Sequence, residues 1–331
     1  LDLLIKDDFD NADYLLRKAA LQLGNNQRAD AEKTLSIARN FINDDAGKLI
    51  AYADQARSIG NDEDALDAMA RAYEIANSST FVTLRYTSLL LDLQNNDKAQ
   101  SLLTSIPKDQ QQNPVYHFLK GRLEANKGKN DRAIAAFEKA LDVDSTFAQA
   151  FIAIYNYALN EQFVDVFLST ARKLIAENEN NLLAKNLLAQ YLFFIQEFEE
   201  SIALYKALIE EPNLLNPAEA YNRLAIMHIE TSLVTAKNYA RQAYELQPNS
   251  AKILDTYGHI KALQGDYEGS LRMLRDAFAR DASDPNIRYH LGYTLAKLNR
   301  IEEAKKELEY AVNVERPFFK RPQARALLES L

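Results

Sequence analysis

Histidine and the acidic residues are the candidates for chemistry in this chain. Its 331 residues include no cysteine. Disulfides, thiolate metal ligands and cysteine nucleophiles are therefore excluded. The four histidines are scattered, and none has the short spacing of a metal-binding motif such as HExxH. They are His117, His228, His259 and His290.

Two pairs of histidines are spaced alike along the chain. His228 and His259 are 31 residues apart, and so are His259 and His290. Neighbouring helices of a repeated unit could bring such residues close together. Without a short ligand spacing, ordinary structural histidines are the better interpretation. We predict neither a metal site nor a bound cofactor.

The acidic residues offer no better candidate for catalysis. Their runs lie at turns or near helix starts, where carboxylates complement the helix dipole. These runs are Asp62-Glu63-Asp64, Glu199-Glu200 and Glu302-Glu303. The chain also lacks the phosphate-binding motifs GxGxxG and GxxxxGK[ST] and the nucleophile motif GxSxG. We therefore predict that the protein has no catalytic residues and is not an enzyme.

The overall composition is that of a folded protein without a basic surface. Hydrophobic residues make up 47% of the chain and charged residues 26%, and the formal net charge is -8 at pH 7. A nucleic-acid-binding face needs clustered lysine and arginine, which this balance does not favour. No run of about 18 apolar residues is present, so the sequence predicts no membrane span.

The residues between these side chains repeat with a period close to 34. The segment Pro114–Phe147 is the reference unit, and its pattern is that of a helix, a turn and a second helix. Small residues recur where the two helices of a hairpin would cross closely. The column that opens the second helix is Ala31, Ala65, Ala99, Ala133, Phe167, Ser201, Ala236, Ser270 and Ala304.

The turn inside each unit is periodic as well. Glycine and asparagine tolerate the left-handed backbone conformation that closes a helix. Five of them share this column, namely Asn26, Gly60, Gly128, Gly265 and Asn299.

One unit departs from the register. The segment EEPNLLNP, between Glu210 and Ala218, is longer than its counterparts, and the next turn, Thr231 to Thr235, is one residue short. A tolerated loop insertion and a changed angle between neighbouring units both fit this slip, because loops absorb length cheaply.

This spacing and residue set resemble the tetratricopeptide repeat family, although the family's usual tryptophan is absent. Nine full repeats can be aligned, beginning at Ala12, Ala46, Thr80, Pro114, Ala148, Leu182, Asn216, Ala251 and Pro285. The resemblance implies an all-α fold, a right-handed superhelical solenoid of about nine helix-turn-helix repeats with a C-terminal capping helix.

The two ends of the chain complete this assignment. We assign residues 1–11 to the end of a truncated preceding repeat, 12–318 to nine tandem repeats and 319–331 to the capping helix. The first assignment depends on Leu1, Leu4 and Ile5, which would fill buried positions of a second helix. A solenoid needs such a cap because its last repeat has no further neighbour.

In this family the first helix of each hairpin lines a concave groove, so the resemblance implies a protein or peptide ligand there. Residues one turn apart on a helix face the same side. The candidates for partner binding are Arg122, Asn156, Asn186, Gln190, Phe193, Asn222, His259, Tyr289 and Tyr293. The carboxylate clamp of some family members is not matched, since no Lys-xxx-Asn followed by Lys-xxx-Arg occurs in first helices.

Repeats five and six differ from the others because bulky residues fill positions that are small elsewhere. Tyr155 and Phe167 occupy such positions in repeat five, and they should alter the crossing of its two helices. One interpretation is an aromatic pocket lined by amides, with Arg122 nearby, formed by Asn156, Gln190, Phe193 and Asn222. The other is that most of these aromatic residues only fill the core.

The final third resembles the C-terminal end of large bacterial tetratricopeptide proteins of the cell envelope, some of them lipoproteins of exosortase and exopolysaccharide systems. The segments that carry this resemblance include PNSAKILDTYGHIKALQGDYEGSLRMLRDAF and DPNIRYHLGYTLAKLNRIEEAKKELEYAV. It implies a periplasmic or lipid-anchored location through a missing N-terminus, with a cytoplasmic location as the alternative.

Two function classes follow from these patterns. The first is a non-catalytic scaffold that binds a peptide or protein in the groove, in envelope or exopolysaccharide assembly. The second is a regulatory module of a larger protein whose catalytic domain lies elsewhere. Self-association is a further possibility for either class.

Overall fold

The computed structural model describes residues 8–76, 79–316 and 318–331, and every regular element in these ranges is helical. The first helices of the hairpins are α1 (Ala12–Gly24), α3 (Ala46–Ser58), α5 (Thr80–Asp92), α7 (Pro114–Asn126), α9 (Ala148–Leu159), α11 (Leu182–Phe194), α13 (Pro217–Met227), α15 (Ala251–Leu263) and α17 (Pro285–Lys297). The predicted all-α class of helix-turn-helix repeats is therefore confirmed.

Each first helix is followed by a second helix, and one further helix ends the chain. The second helices are α2 (Arg28–Arg39), α4 (Asp62–Ile75), α6 (Asn96–Ser105), α8 (Asn130–Val143), α10 (Val164–Glu177), α12 (Phe198–Ile209), α14 (Leu233–Leu246), α16 (Tyr267–Arg280) and α18 (Ile301–Asn313). The last helix is α19 (Arg321–Glu329). Leu1, Leu4 and Ile5, on which the predicted preceding repeat depends, lie outside the described residues.

The helices form two compact units. Unit 1 ends at Phe167, and unit 2 runs from Leu168 to Leu331. The boundary falls within α10, the second helix of repeat five. Each unit is described by itself below.

The predicted columns of small residues are the places where the helices of a hairpin meet. In repeat four, a Cβ atom added to Gly121 would lie 2.4 Å from the ring of Phe137, which is buried. In unit 2, a Cβ on Gly292 would lie 2.7 Å from Cγ of Leu308. A glycine in the first helix thus makes room for a large apolar side chain of the second.

The hairpin turns use the left-handed conformation at one periodic position. Residues with positive φ include the five predicted glycines and asparagines and, in three further turns, Gln94, Glu161 and Gln196. Their φ values of 58° to 65° are costly for residues with a side chain, by about 1–2 kcal/mol. The sequence pattern missed these three because they are neither glycine nor asparagine.

The turn of repeat seven has no such residue. The segment from His228 to Ser232 lies within the described chain and contains no positive φ. It closes instead through the amide of Ser232, which donates to the carbonyl oxygen of His228 at 2.8 Å. The register slip seen in the sequence is therefore a real change of turn geometry.

Helix α19 packs on the end of unit 2. Ala324 is fully buried, and it joins Leu308 and Val312 of α18 and the buried Phe318 in one apolar cluster. Leu327 and Leu328 are partly buried against the same cluster. The predicted apolar face of the terminal helix therefore contacts the last repeat.

Candidate functional site: the first-helix faces of the two units

The predicted partner-binding residues lie on first helices of both units. Arg122 and Asn156 belong to α7 and α9 of unit 1. The others belong to unit 2 and are Asn186, Gln190 and Phe193 on α11, Asn222 on α13, His259 on α15, and Tyr289 and Tyr293 on α17. The predicted pocket of Asn156, Gln190, Phe193 and Asn222 draws on both units and stays a prediction.

In unit 1 two cations of the first helices pair with acidic residues of the preceding repeat. The guanidinium of Arg122 donates to Oδ1 of Asp92 at 2.5 Å and to Oγ of Ser88 at 3.3 Å, both on α5. Arg85 on α5 pairs in the same way with Asp54 on α3. Arg122 therefore links two repeats, which competes with the ligand contact predicted for it.

Asn156, the other candidate in unit 1, has an exposed side chain on α9. The bulky residues beside it are core. Phe151 and Phe167 are buried with their rings stacked at 5.6 Å, and Tyr155 packs on Phe167 at 5.3 Å. For these aromatic residues the interpretation as core filling is the better one.

In unit 2, helices α11 and α13 present an aromatic residue, a cation and an amide. Phe193 is half-buried, and the guanidinium of Arg223 lies 4.5 Å from its ring centre, within cation–π range. Arg223 also pairs with Glu219 at 2.7 Å. Asn222 is buried, and its Oδ1 has no hydrogen-bond partner among the described residues.

The last two repeats of unit 2 bring two histidines into contact. The rings of His259 on α15 and His290 on α17 stack with centroids 3.8 Å apart and planes 14° apart. Nδ1 of His290 lies 2.8 Å from Oδ1 of Asp255, also on α15. The ring edge of Tyr293 meets His259 at 6.2 Å, and Tyr289 lies 5.3 Å from His290. The structure thus unites three of the predicted residues with two others.

Burial shapes the electrostatics of this cluster. It lowers the pKa of His259 and the pKa of His290 well below the ordinary 6.5, because each imidazolium would lose its hydration. It raises the pKa of Asp255 well above 3.8 for the same reason. Lys320, half-buried before α19, has a lowered pKa from desolvation, opposed by the field of Asp255. The cluster favours neutral groups.

Two ring nitrogens of the cluster have no hydrogen-bond partner among the described residues. They are Nδ1 of His259 and Nε2 of His290, and both are buried. Lone pairs of parallel rings do not converge on one metal ion, and zinc sites need three or four protein ligands. Within the described residues no group of three or more such side chains is arranged to hold a metal.

The sequence contained part of the signal for this cluster. The 31-residue spacing of His259 and His290 indicated that neighbouring helices could bring them together. The helical period placed Asp255 on the same face as His259, but no pattern identified Lys320 as a neighbour of the histidines. Asp255 lies one helical turn before His259, whereas Lys320 arrives through the fold of the terminal segment, which no short-range pattern reports.

Comparison with known proteins identifies tetratricopeptide repeats in two parts of the chain. A tetratricopeptide repeat model matches residues 261–331, and a tetratricopeptide repeat-like domain model matches residues 49–160. The chain carries tetratricopeptide repeats. A relative with the same repeats, the TPR repeat-containing protein YpiA of Bacillus subtilis (strain 168), is 23% identical over 293 residues, which span 86% of this chain and 67% of YpiA.

Solved tetratricopeptide structures share the fold. PilW, a type IV pilus biogenesis factor, matches 64% of this chain and 98% of its own at a TM-score of 0.51 and 13% identity. A chain of the Cut9–Hcn1 hetero-tetramer of the APC/C matches 91% of this chain and 58% of its own, at a TM-score of 0.51 and 16% identity. PilF of Pseudomonas aeruginosa matches 65% of this chain and 97% of its own, at a TM-score of 0.50 and 15% identity.

The resemblance of the last third to exosortase-type envelope proteins stays a prediction beside these matches. Among the described residues, no helix has the length and apolar character needed to cross a bilayer.

Proposed function

We propose that this protein is a non-catalytic scaffold whose unit 2 binds a peptide or protein segment on its first-helix face. The face consists of the exposed sides of α11, α13, α15 and α17. Its relatives in fold support the proposal, because the Cut9–Hcn1 structure is a hetero-tetramer in which a tetratricopeptide protein assembles with a partner.

The observation that carries the proposal is the unpaired side-chain oxygen of the buried Asn222, on the first helix that follows the half-buried Phe193. Its buried Oδ1 lacks a donor, and a buried acceptor without a partner costs about 1–3 kcal/mol. The backbone N–H of an extended peptide would supply that donor. Phe193 lies on the preceding first helix α11, and Tyr293 lies on α17, two first helices further along the face. Both are aromatic anchors, the residue class that dominates binding energy at interfaces.

The test begins with peptides selected from a random library on the full chain. Their affinity is then measured by fluorescence anisotropy for the wild type, Phe193→Ala and Tyr293→Ala. Truncation of an anchor should weaken binding at least 10-fold, which corresponds to about 1.4 kcal/mol. Val234→Ala, at an exposed apolar position of the second helix α14, is the control and should leave affinity unchanged.

An equal affinity for the control and both anchor variants, all shown to be folded by circular dichroism, would remove the face from consideration. Binding that is lost equally in the control would point to a second-helix surface instead.

The setting of the scaffold is a finer proposal. The C-terminal resemblance and the likeness to PilW, a pilus biogenesis factor, support a role in the bacterial envelope or in exopolysaccharide assembly. Sequence upstream of residue 1 tests this directly, since an export signal with a lipid-attachment site supports it. A catalytic domain there would favour the regulatory module, and light scattering of the chain tests self-association.

A further inference from the structure

We propose that the stacked pair of His259 and His290 is a proton-binding site that controls the first-helix face of unit 2. When the pair takes up a proton below neutral pH, the stack opens and the tyrosines beside it move. The second statement rests on the proposed function, because those tyrosines belong to the proposed binding face.

The geometry gives the pair no place for an added charge. Both rings are 6% exposed, and their parallel stacking at 3.8 Å leaves no room for water between them. A proton added to Nδ1 of His259 or to Nε2 of His290 would create a buried N–H donor with no acceptor among the described residues. Such a donor is stable only when the ring reaches water or an acceptor.

The charged groups that face the pair come from several elements. Asp255 on α15 contacts His290 directly, and Asp284 caps the start of α17. Lys320, before α19, acts on both histidines, and Glu230, in the turn after α13, acts on Lys320.

The second helices behind the pair contribute a hydroxyl network. Oγ of Ser270 on α16 lies 3.0 Å from Oγ1 of Thr294, which donates to the carbonyl oxygen of His290 at 2.9 Å. On the far side of α17, Arg288 and Glu307 of α18 neutralise one another at 2.6 Å. The positive charge of Lys320 disfavours protonation of the histidines, and it lowers the pKa of both.

The sign of the pH effect follows from proton counting. The lowered pKa of both imidazoles means that the folded chain binds fewer protons than the unfolded chain below about pH 6.5. Their contribution to stability is complete above pH 6.5 and is lost as the pH falls through the folded pKa. The raised pKa of Asp255 acts in the opposite sense above pH 3.8. The contribution of the two histidines is therefore lost on acidification.

Opening of the stack would reach the proposed binding face through two contacts. Tyr293 packs its ring on His259, and Tyr289 lies between His290 and the buried Phe318. Nζ of Lys320 is 6.0 Å from the ring of Tyr289. A positive imidazole would repel Lys320 and so displace the segment that leads into α19.

The experiment is an NMR titration of the ring Hε1–Cε1 signals in the full chain between pH 4.5 and 8.5. The variant His117→Gln/His228→Gln leaves only the stacked pair, and the wild type provides the same two signals if that variant does not fold. Both signals should titrate well below pH 6.5 and lose their ring-current shifts together. Independent titration near pH 6.5 would overturn the proposal.

A charge variant with a matched control tests the role of Lys320. Lys320→Met should raise the titration midpoints of both histidines, because it removes the opposing cation. Lys306→Met removes the same charge from an exposed position of α18 and should leave the midpoints unchanged. Equal effects of the two variants, or none, would contradict the assignment.

The link to binding is tested with the library-selected peptides at pH 7.5 and at a pH below the measured midpoint. Wild-type affinity should fall at least 10-fold, while His259→Phe, which keeps a stacked ring and removes one of the two titrating groups, should reduce this dependence. An unchanged wild-type affinity would show that protonation of the pair does not control binding at the first-helix face. If no peptide binds at either pH, the proposed function fails, and the ring titration still decides whether the proton site exists.

Discussion

The two units build their hairpins alike but accommodate charge differently. In unit 1 the first helices are linked by ion pairs at the surface, such as Arg85 with Asp54, whose side chains are 42% and 52% exposed. In unit 2 the pair of Arg288 and Glu307 is only 14% and 12% exposed. The guanidinium of Arg288 also lies about 4 Å from the ring centres of Phe278 and Tyr310.

This difference shows which property of a repeat is architectural and which is local. Glycine against a large side chain sets the hairpin crossing in both units. Charge has no fixed place in the repeat, so each position can be exposed or buried as its neighbours allow. Exposed pairs contribute little and are screened by salt, whereas a buried pair becomes essential once it has formed.

The largest expected effect comes from breaking the partly buried pair. Glu307→Gln leaves the guanidinium of Arg288 without its counter-charge between two aromatic rings, and a hydrogen bond to a charged group contributes about 1.5–3 kcal/mol. Urea unfolding of the full chain should show this loss in the transition of unit 2. Asp54→Asn is the matched control in unit 1 and should cost less than about 1 kcal/mol. Similar losses for the two variants would erase the contrast between the units.

The hairpin crossing should respond equally in the two units. Gly121→Ala in unit 1 places a methyl group against Phe137, and Gly292→Ala in unit 2 places one against Leu308. Overpacking costs about 1–3 kcal/mol, and the better helix propensity of alanine returns about 1 kcal/mol. Both variants should therefore lower the melting temperature. Gly24→Ala, where an added Cβ meets nothing within 4 Å, is the control and should not lower it.

The turn column predicts a gain in stability in both units. Gln94→Gly and Gln196→Gly relieve a left-handed conformation at φ values of 58° and 65°. After the entropy cost of glycine, each should stabilise by about 0.5–1 kcal/mol in thermal unfolding. Gln100→Gly, inside helix α6, should instead destabilise by about 1 kcal/mol. A loss of stability in both turn variants would show that their side chains compensate for the strain.

The smallest expected effect is the salt response of unit 1. Arg85→Ala removes an exposed pair worth about 0–1 kcal/mol, and even this should vanish at 1 M salt, where the screening length is about 3 Å. Unfolding in low and high salt measures it. A larger loss that persists in high salt would mean that the stem of Arg85 packs between repeats.

Most of the fold followed from the sequence because its determinants are local and repeated. The small-residue column through Ala133 and Ala304 predicted where helices cross, and Asn26 and Gly60 predicted turns. Any one column is degenerate, but a constant period makes errors in one repeat visible in the next. The slip near residue 230 was visible for that reason.

The site was less accessible to sequence reasoning because it depends on contacts between repeats. The spacing of His259 and His290 allowed their approach, yet it could not show stacked rings or their burial with Asp255. Arg122 looked like a free cation in the groove, whereas Asp92, thirty residues earlier, occupies it. A helical pattern gives the face of a residue, and its partners on the neighbouring helix are set by packing.

The turn of repeat seven should tolerate more kinds of substitution than the other hairpin turns. Where a backbone must be left-handed, few amino acids are accepted, and β-branched residues are among the worst. The turn from His228 to Ser232 makes no such demand, and it contains Ile229 and Thr231, which the other turns would penalise. In a scan of all single substitutions, the periodic turn column should form a row of intolerant sites with one gap at repeat seven. That gap is where the chain can acquire new surface residues without loss of the hairpin.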